Sequence, residues 1–104
     1  MKMINVANDF SVLPAGRYVT DGDYTGEHFY RFLVKNLEEL PPNEVIEINF
    51  DGVLGAGSSF LEQSFAELVR QGNISKSDFK KRFKIIANDH PEIISKVQRY
   101  VEGA

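Results

Sequence analysis

The sequence predicts an α/β fold, with about four strands in a mainly parallel sheet and helices packed chiefly on one face. Three observations predict it. Strand-like and helix-like hydrophobic periods alternate along the chain. The clearest strand, Glu44 to Phe50, puts Ile46, Ile48 and Phe50 on one side and Val45, Glu47 and Asn49 on the other, so only one sheet face is apolar. Alternating strands and helices in turn imply parallel crossovers.

The elements follow in order. Met3 to Val6 reads as a first strand. Arg17-Tyr18-Val19-Thr20, after a Pro-Ala-Gly turn, is rich in β-favouring residues, which predicts a second strand over Gly16 to Thr20. From Thr25, Phe29, Phe32, Leu33, Leu37 and Leu40 recur at three- and four-residue spacing, as on an amphipathic helix. Pro41-Pro42 ends it, because proline lacks an amide hydrogen and disfavours helical geometry in the residue before it.

After the Glu44 to Phe50 strand, a glycine-rich turn leads into a helix from Ser58 to Gln71, with Leu61, Phe65, Leu68 and Val69 on its apolar stripe. Gly72-Asn73 reads as its C-terminal cap. A short turn of helix over Ser77 to Lys81 precedes a strand in which Phe83, Ile85 and Ala87 alternate with Lys84 and Ile86. Asp89-His90-Pro91-Glu92 reads as the start of a last helix, with Asp89 as cap; its apolar positions are Ile93, Ile94, Val97, Tyr100 and Val101.

The 104 residues fit a single domain, 1–104. A net charge of −3, with 42% hydrophobic and 26% charged residues, describes a globular chain and gives no reason to expect nucleic acid as partner. The basic run Lys80 to Lys84 reads as a solvated turn. The absence of cysteine removes disulfides, thiolate catalysis and zinc–thiolate sites. The first residues lack the apolar core of a signal peptide, and no segment approaches the roughly 20 apolar residues that span a bilayer. The expectation is a cytoplasmic protein without membrane or cofactor. The half-polar sheet leaves one face thinly covered, so a homodimer is an open alternative.

The stretch Gly55-Ala56-Gly57-Ser58-Ser59-Phe60-Leu61-Glu62 carries the chemistry. Ser59 and Glu62 match a capping box, which gives Ser59 a structural role. Ser58 is left over at an exposed helix start, where unpaired amides and the helix dipole favour a negative group. It lacks the Gly-Lys-Ser/Thr ending of a phosphate-binding loop and the second glycine of a nucleophile elbow. Asp21-Gly22-Asp23-Tyr24-Thr25-Gly26-Glu27 imitates the opening of a calcium loop, but the twelfth position is Phe32 rather than glutamate, which excludes that site. Asp21, Asp23 and Glu27 are instead turn residues, or part of a partner-facing loop. His28 and His90 read as surface residues near helix starts. No nucleophile, base and oxyanion donor come together, so no enzyme is expected and no residue is assigned as catalytic.

Glu44 to Val53, with Ser58-Ser59-Phe60-Leu61 and the helix to Val69, resembles the STAS domain of bacterial anti-sigma factor antagonists. With Gly16-Arg17-Tyr18 and Asp21 to Glu27, the chain is more similar still to a STAS-like family of unknown function, over residues 14 to 102. The resemblance implies a regulatory domain that binds a protein partner, of the histidine-kinase-like ATPase or anti-sigma type. It also implies that Ser58, with Ser59 beside it, is the phosphoacceptor of a switch; here Gly57 and Phe60 replace the Asp and Gly that flank that serine in the antagonists. Gly57, Ser58, Ser59 and Phe60 are therefore the candidate contact residues. The alternative is a small-ligand sensor that holds a nucleotide phosphate or another anion at the same helix start.

Overall fold

The hydrogen-bonding groups of residues 16 to 25 decide how many strands the sheet has. A computed structural model describes residues Met1–Ala104 and shows three strands, β1 (Lys2–Asn5), β2 (Ile46–Asn49) and β3 (Phe83–Ile86). They are wholly parallel in the order β1-β2-β3, with Ile4 opposite Ile48 and Ile48 opposite Ile85. The expected strand over Gly16 to Thr20 does not form. Gly16 turns the chain at φ +89°, and the Asp21 carboxylate accepts from the Arg17 and Tyr18 amides at 3.2 and 2.8 Å. The Gly16 and Arg17 carbonyls accept from Gly26 N and Glu27 N, both at 2.9 Å. The segment thus spends its backbone groups on the start of the next helix, and β propensity loses to that local pairing.

Five helices accompany the sheet: α1 (Val6–Asp9), α2 (Gly26–Glu39), α3, α4 (Lys76–Arg82) and α5 (Glu92–Glu102), and Val19–Asp21 adds a 3₁₀ turn. Helix α3 is continuous over 58–70 but changes register, from α (Ser58–Leu61) through a π segment (Glu62–Ala66) back to α (Glu67–Arg70). The strands bury Ile4, Ile46, Ile48 and Phe83 against the helical layer and leave Met3 and Lys84 exposed on the other face. Helices therefore cover one face, as the alternation of β2 implies. At the centre lies Phe29 of α2, with ring centroids 4.9 Å from Phe10, 5.4 Å from Phe60 and 5.8 Å from Phe65. Truncating such a buried ring to alanine typically costs about 3–5 kcal/mol.

Caps set the helix limits, and several differ from expectation. Helix α2 starts at Thr25, whose hydroxyl accepts from His28 N at 3.3 Å while His28 Nδ1 accepts from Thr25 N at 3.2 Å. His28 is thus a half-buried partner in a capping box rather than a free surface residue. Asp89 does not cap α5: its carboxylate accepts from Gly52 N at 3.3 Å, and Pro91 takes the cap position. Helix α4 begins one residue earlier than the spacing suggests, because the Ser75 hydroxyl accepts from Asp78 N at 3.1 Å. The basic run is no turn either, since it ends α4 and enters β3 with Phe83 buried. Gly72 closes α3 as expected, at φ +74°, with its amide on Val69 O and Asn73 N on Leu68 O.

The π segment marks where α2 presses on α3. A Cβ added at Gly26 would lie 2.7 Å from Phe60 O and 2.9 Å from Gln63 Cβ, so only glycine lets the two backbones approach this closely. Buried Ser64 supports the altered register, its hydroxyl donating to Phe60 O at 2.8 Å. Such register changes widen a helix locally and disturb its regular bonding. Gly26→Ala is expected to push α2 off α3 and to destabilise the fold by about 1–3 kcal/mol. Urea unfolding followed by circular dichroism measures this; an unchanged midpoint would show that the contact yields freely.

Candidate functional site

Because all three strands run the same way, the loops after β1, β2 and β3 gather at one end of the sheet, where the starts of α2, α3 and α5 also lie. Ligands of open parallel sheets collect at this end. The loops are tied together there. Asp51, after β2, accepts from Asn88 N at 2.7 Å, Asn88 Nδ2 at 2.8 Å and Asp89 N at 3.2 Å. These bonds outweigh a desolvation penalty and hold the Asp51 carboxyl below its usual value. Leu54 N donates to Val12 O at 2.8 Å, which joins the β2 loop to the β1 loop.

Helix α3 starts at Gly57, in extended geometry at φ −78°, and no side chain caps it. Ser59 does not fill that place. It lies inside the first turn, and Glu62 is drawn away to Arg17 Nη1 at 2.6 Å and to Arg70. Hydrogen bonding from Arg70, reinforced by Arg17 against partial desolvation, lowers the Glu62 pKa. The capping box inferred from Ser59 and Glu62 is therefore absent, because two arginines outcompete one backbone amide for the carboxylate. Leu61 N is the first amide of the helix to find a carbonyl, on Gly57 O at 3.0 Å. The amides of Ser58, Ser59 and Phe60 thus point out of the helix start without intrahelical partners.

Gly57, Ser58 and Ser59 are exposed, whereas the Phe60 side chain is wholly buried. Phe60 can offer a partner its backbone and nothing else. Ser58 faces α5, where its side chain, followed by Arg99, lowers the Tyr100 pKa by stabilising the phenolate, with Lys96 adding a weaker effect. The Arg99 guanidinium sits 5.3 Å from the Tyr100 ring centroid. Sequence reasoning missed these three residues, since nothing in the spacing of α5 shows that its polar side meets the start of α3.

The acidic loop residues divide by role. Asp21 is spent on the Arg17 and Tyr18 amides, and Glu27 on Val19 N at 2.9 Å and Arg31 at 3.0 Å. Asp23 is exposed and makes no hydrogen bond or ion pair with the protein. Arg17 pins this loop to α3 through Glu62, so the loop and the serine pair belong to one surface. The same end carries exposed apolar side chains that the sequence reading did not single out: Leu54 at 69% exposure, Leu13 at 60% and Val12 at 50%. Exposed apolar groups gathered in adjoining loops are a feature of contact surfaces.

The effect of Ser58 on Tyr100 has a direct readout. Tyr100 is expected to ionise below the usual tyrosine range, and Ser58→Ala is expected to move its pKa upward. NMR titration of the tyrosine Cζ resonances measures both; a Tyr100 value unmoved by the substitution would place Ser58 out of its reach.

Comparison with known proteins agrees with this architecture. A family model described as a STAS-like domain of unknown function (DUF4325) matches residues 25–92. The match takes in α2, β2, α3, α4 and β3, and leaves outside it the Gly16-Arg17-Tyr18 and Asp21 to Tyr24 motifs that the sequence reading had included. Searches of curated proteins and of solved structures return no match. The family match covers more than half of the chain, includes the serine pair, and coincides with a one-sided parallel α/β sheet: the chain belongs to the STAS-like domain of unknown function family.

Proposed function

We propose that this chain is a non-enzymatic regulatory domain that acts in the cytoplasm by binding a protein partner at the start of α3. Ser58 and Ser59, the outward amides of the first turn, the loop bearing Asp23, and the apolar side chains Val12, Leu13 and Leu54 form the contact. What carries this proposal is the meeting of an uncapped, exposed helix start with exposed apolar loop residues on one surface. A partner that covers the apolar residues gains by removing them from water.

Phosphorylation of Ser58 is the proposed switch. A phosphate on the first helical residue meets the positive end of the helix dipole, on the side of α3 from which Ser58 acts on Tyr100. The fold tolerates the charge, and the partner meets a changed surface. The kind of partner, a histidine-kinase-like ATPase or an anti-sigma-type protein, follows from family likeness alone.

A second function, a sensor for a nucleotide or another anion, has a specific observation in its favour: the amides of Ser58, Ser59 and Phe60 at the uncapped start of α3 have no intrahelical partners. One set of measurements separates the two. The partner recovered by affinity purification is titrated calorimetrically against the wild-type chain and Ser58→Asp. The variant is expected to keep its unfolding midpoint and to bind roughly tenfold more weakly, as loss of a central contact would give. Equal affinity for both proteins would remove Ser58 from the contact. Thermal stabilisation by ATP or phosphate without any partner would favour the anion sensor.

A further inference from the structure

The outer edge of the sheet is left open on one side and blunted on the other. At the β1 edge the Asp9 carboxylate accepts from Asn5 N at 2.8 Å, and α1 turns the chain away. At the β3 edge nothing comparable happens. Ile86 O accepts from Phe50 N at 2.7 Å, so Ile86 faces β2, and alternation turns the amide and carbonyl of Ile85 to the free side. Beside that edge, between α4, β3 and α5, runs an apolar cleft of about 210 Å³ walled by Phe79, Phe83, Ile85, Ile94, Val97 and Val101.

The charge around this cleft is unlike that of the rest of the chain. Residues 76 to 84 hold five basic side chains against one acidic, leaving seven basic and fourteen acidic for all other positions. Arg82 is spent on Glu44 O and Pro41 O at 3.0 and 3.1 Å. Lys80 reaches Glu102 at 2.6 Å across the cleft, but its side chain is 68% exposed, and so exposed a pair is readily exchanged. Lys84 is 64% exposed and only 4.0 Å from Glu47, and Lys81 is exposed with no ion pair.

We propose that the β3 edge binds an extended acidic segment of a partner protein, which adds a fourth parallel or antiparallel strand. Its backbone pairs with Ile85, an apolar side chain enters the cleft, and its carboxylates meet Lys80, Lys81 and Lys84. Strand addition of this kind takes affinity from main-chain bonds and specificity from alternate side chains. A nucleic acid would satisfy the lysines but neither the strand edge nor the cleft. A second copy of the chain would set two basic edges against each other, and like charges across paired strands are unfavourable. This surface is separate from the start of α3, and the proposal stands or falls independently of Ser58.

The test selects eight-residue random peptides displayed on phage against the full chain, then titrates a synthetic peptide of the enriched sequence into the ¹⁵N-labelled protein. Enrichment of acidic peptides with apolar residues at alternate positions is expected. The Ile85 amide should exchange with solvent roughly tenfold more slowly in the complex, as a newly paired strand amide does. The Lys81→Glu/Lys84→Glu double variant, confined to exposed side chains, should weaken binding by roughly tenfold at low salt. Ile94→Asp, which puts a charge in the cleft, should weaken it independently. Failure to enrich any peptide would overturn the proposal, as would peptides that leave the Ile85 amide unprotected. Sedimentation of the chain alone as a dimer with Ile85 already protected would overturn it too, since the occupant would then be a second copy.

Discussion

The start of α2 rests on the first turns of α3 with no room for a side chain between them. Gly26 meets Phe60 O and Gln63 there, and much else follows from the contact. It seats Phe29 against Phe60 and Phe65 in the core. It brings Arg17, held by its amide to Asp21, within reach of Glu62. The π segment lies on the contact itself, and Ser64 binds the same Phe60 carbonyl. Position and register at the start of α3 are therefore set from behind, by packing, while its solvent side is left free of capping side chains.

That division suits the proposed binding role. A cap made by a side chain would occupy the amides of Ser58 to Phe60, whereas rigid packing holds the turn in place and keeps them available. Preorganised donors cost little to use when a partner or a phosphate arrives. Around them the ties between loops, Asp51 to Asn88 and Leu54 to Val12, fix exposed apolar residues at the same end of the sheet. Charge is sorted as well, with the lysine-rich residues of α4 and β3 gathered at the far sheet edge of an otherwise acidic chain.

Much of this was legible in the sequence, because its strongest signals are local. The alternation of Ile46, Ile48 and Phe50 marked the central strand, and the spacing of Phe29, Leu33 and Leu37 marked α2. Gly72 marked the end of α3. What could not be read depends on partners distant in sequence. Arg17 to Thr20 has the composition of a strand, but Asp21 and the start of α2 claim its backbone groups. Ser59 and Glu62 have the spacing of a capping box, but Arg17 and Arg70, the first 45 residues away, take the carboxylate. The π segment arises from a contact that Gly26 permits, and no period in α3 announces it. The effect of Ser58 on Tyr100 likewise arises by folding alone.

The central claim is that a protein docks on the start of α3. Site-specific photo-cross-linking in the cell of origin tests it most directly, with a benzophenone-bearing residue at position 58 in one chain and at exposed position 38, on α2, in another. The expected result is one defined protein captured from position 58 and absent from position 38. Equal capture from both positions, or none from position 58, would contradict it.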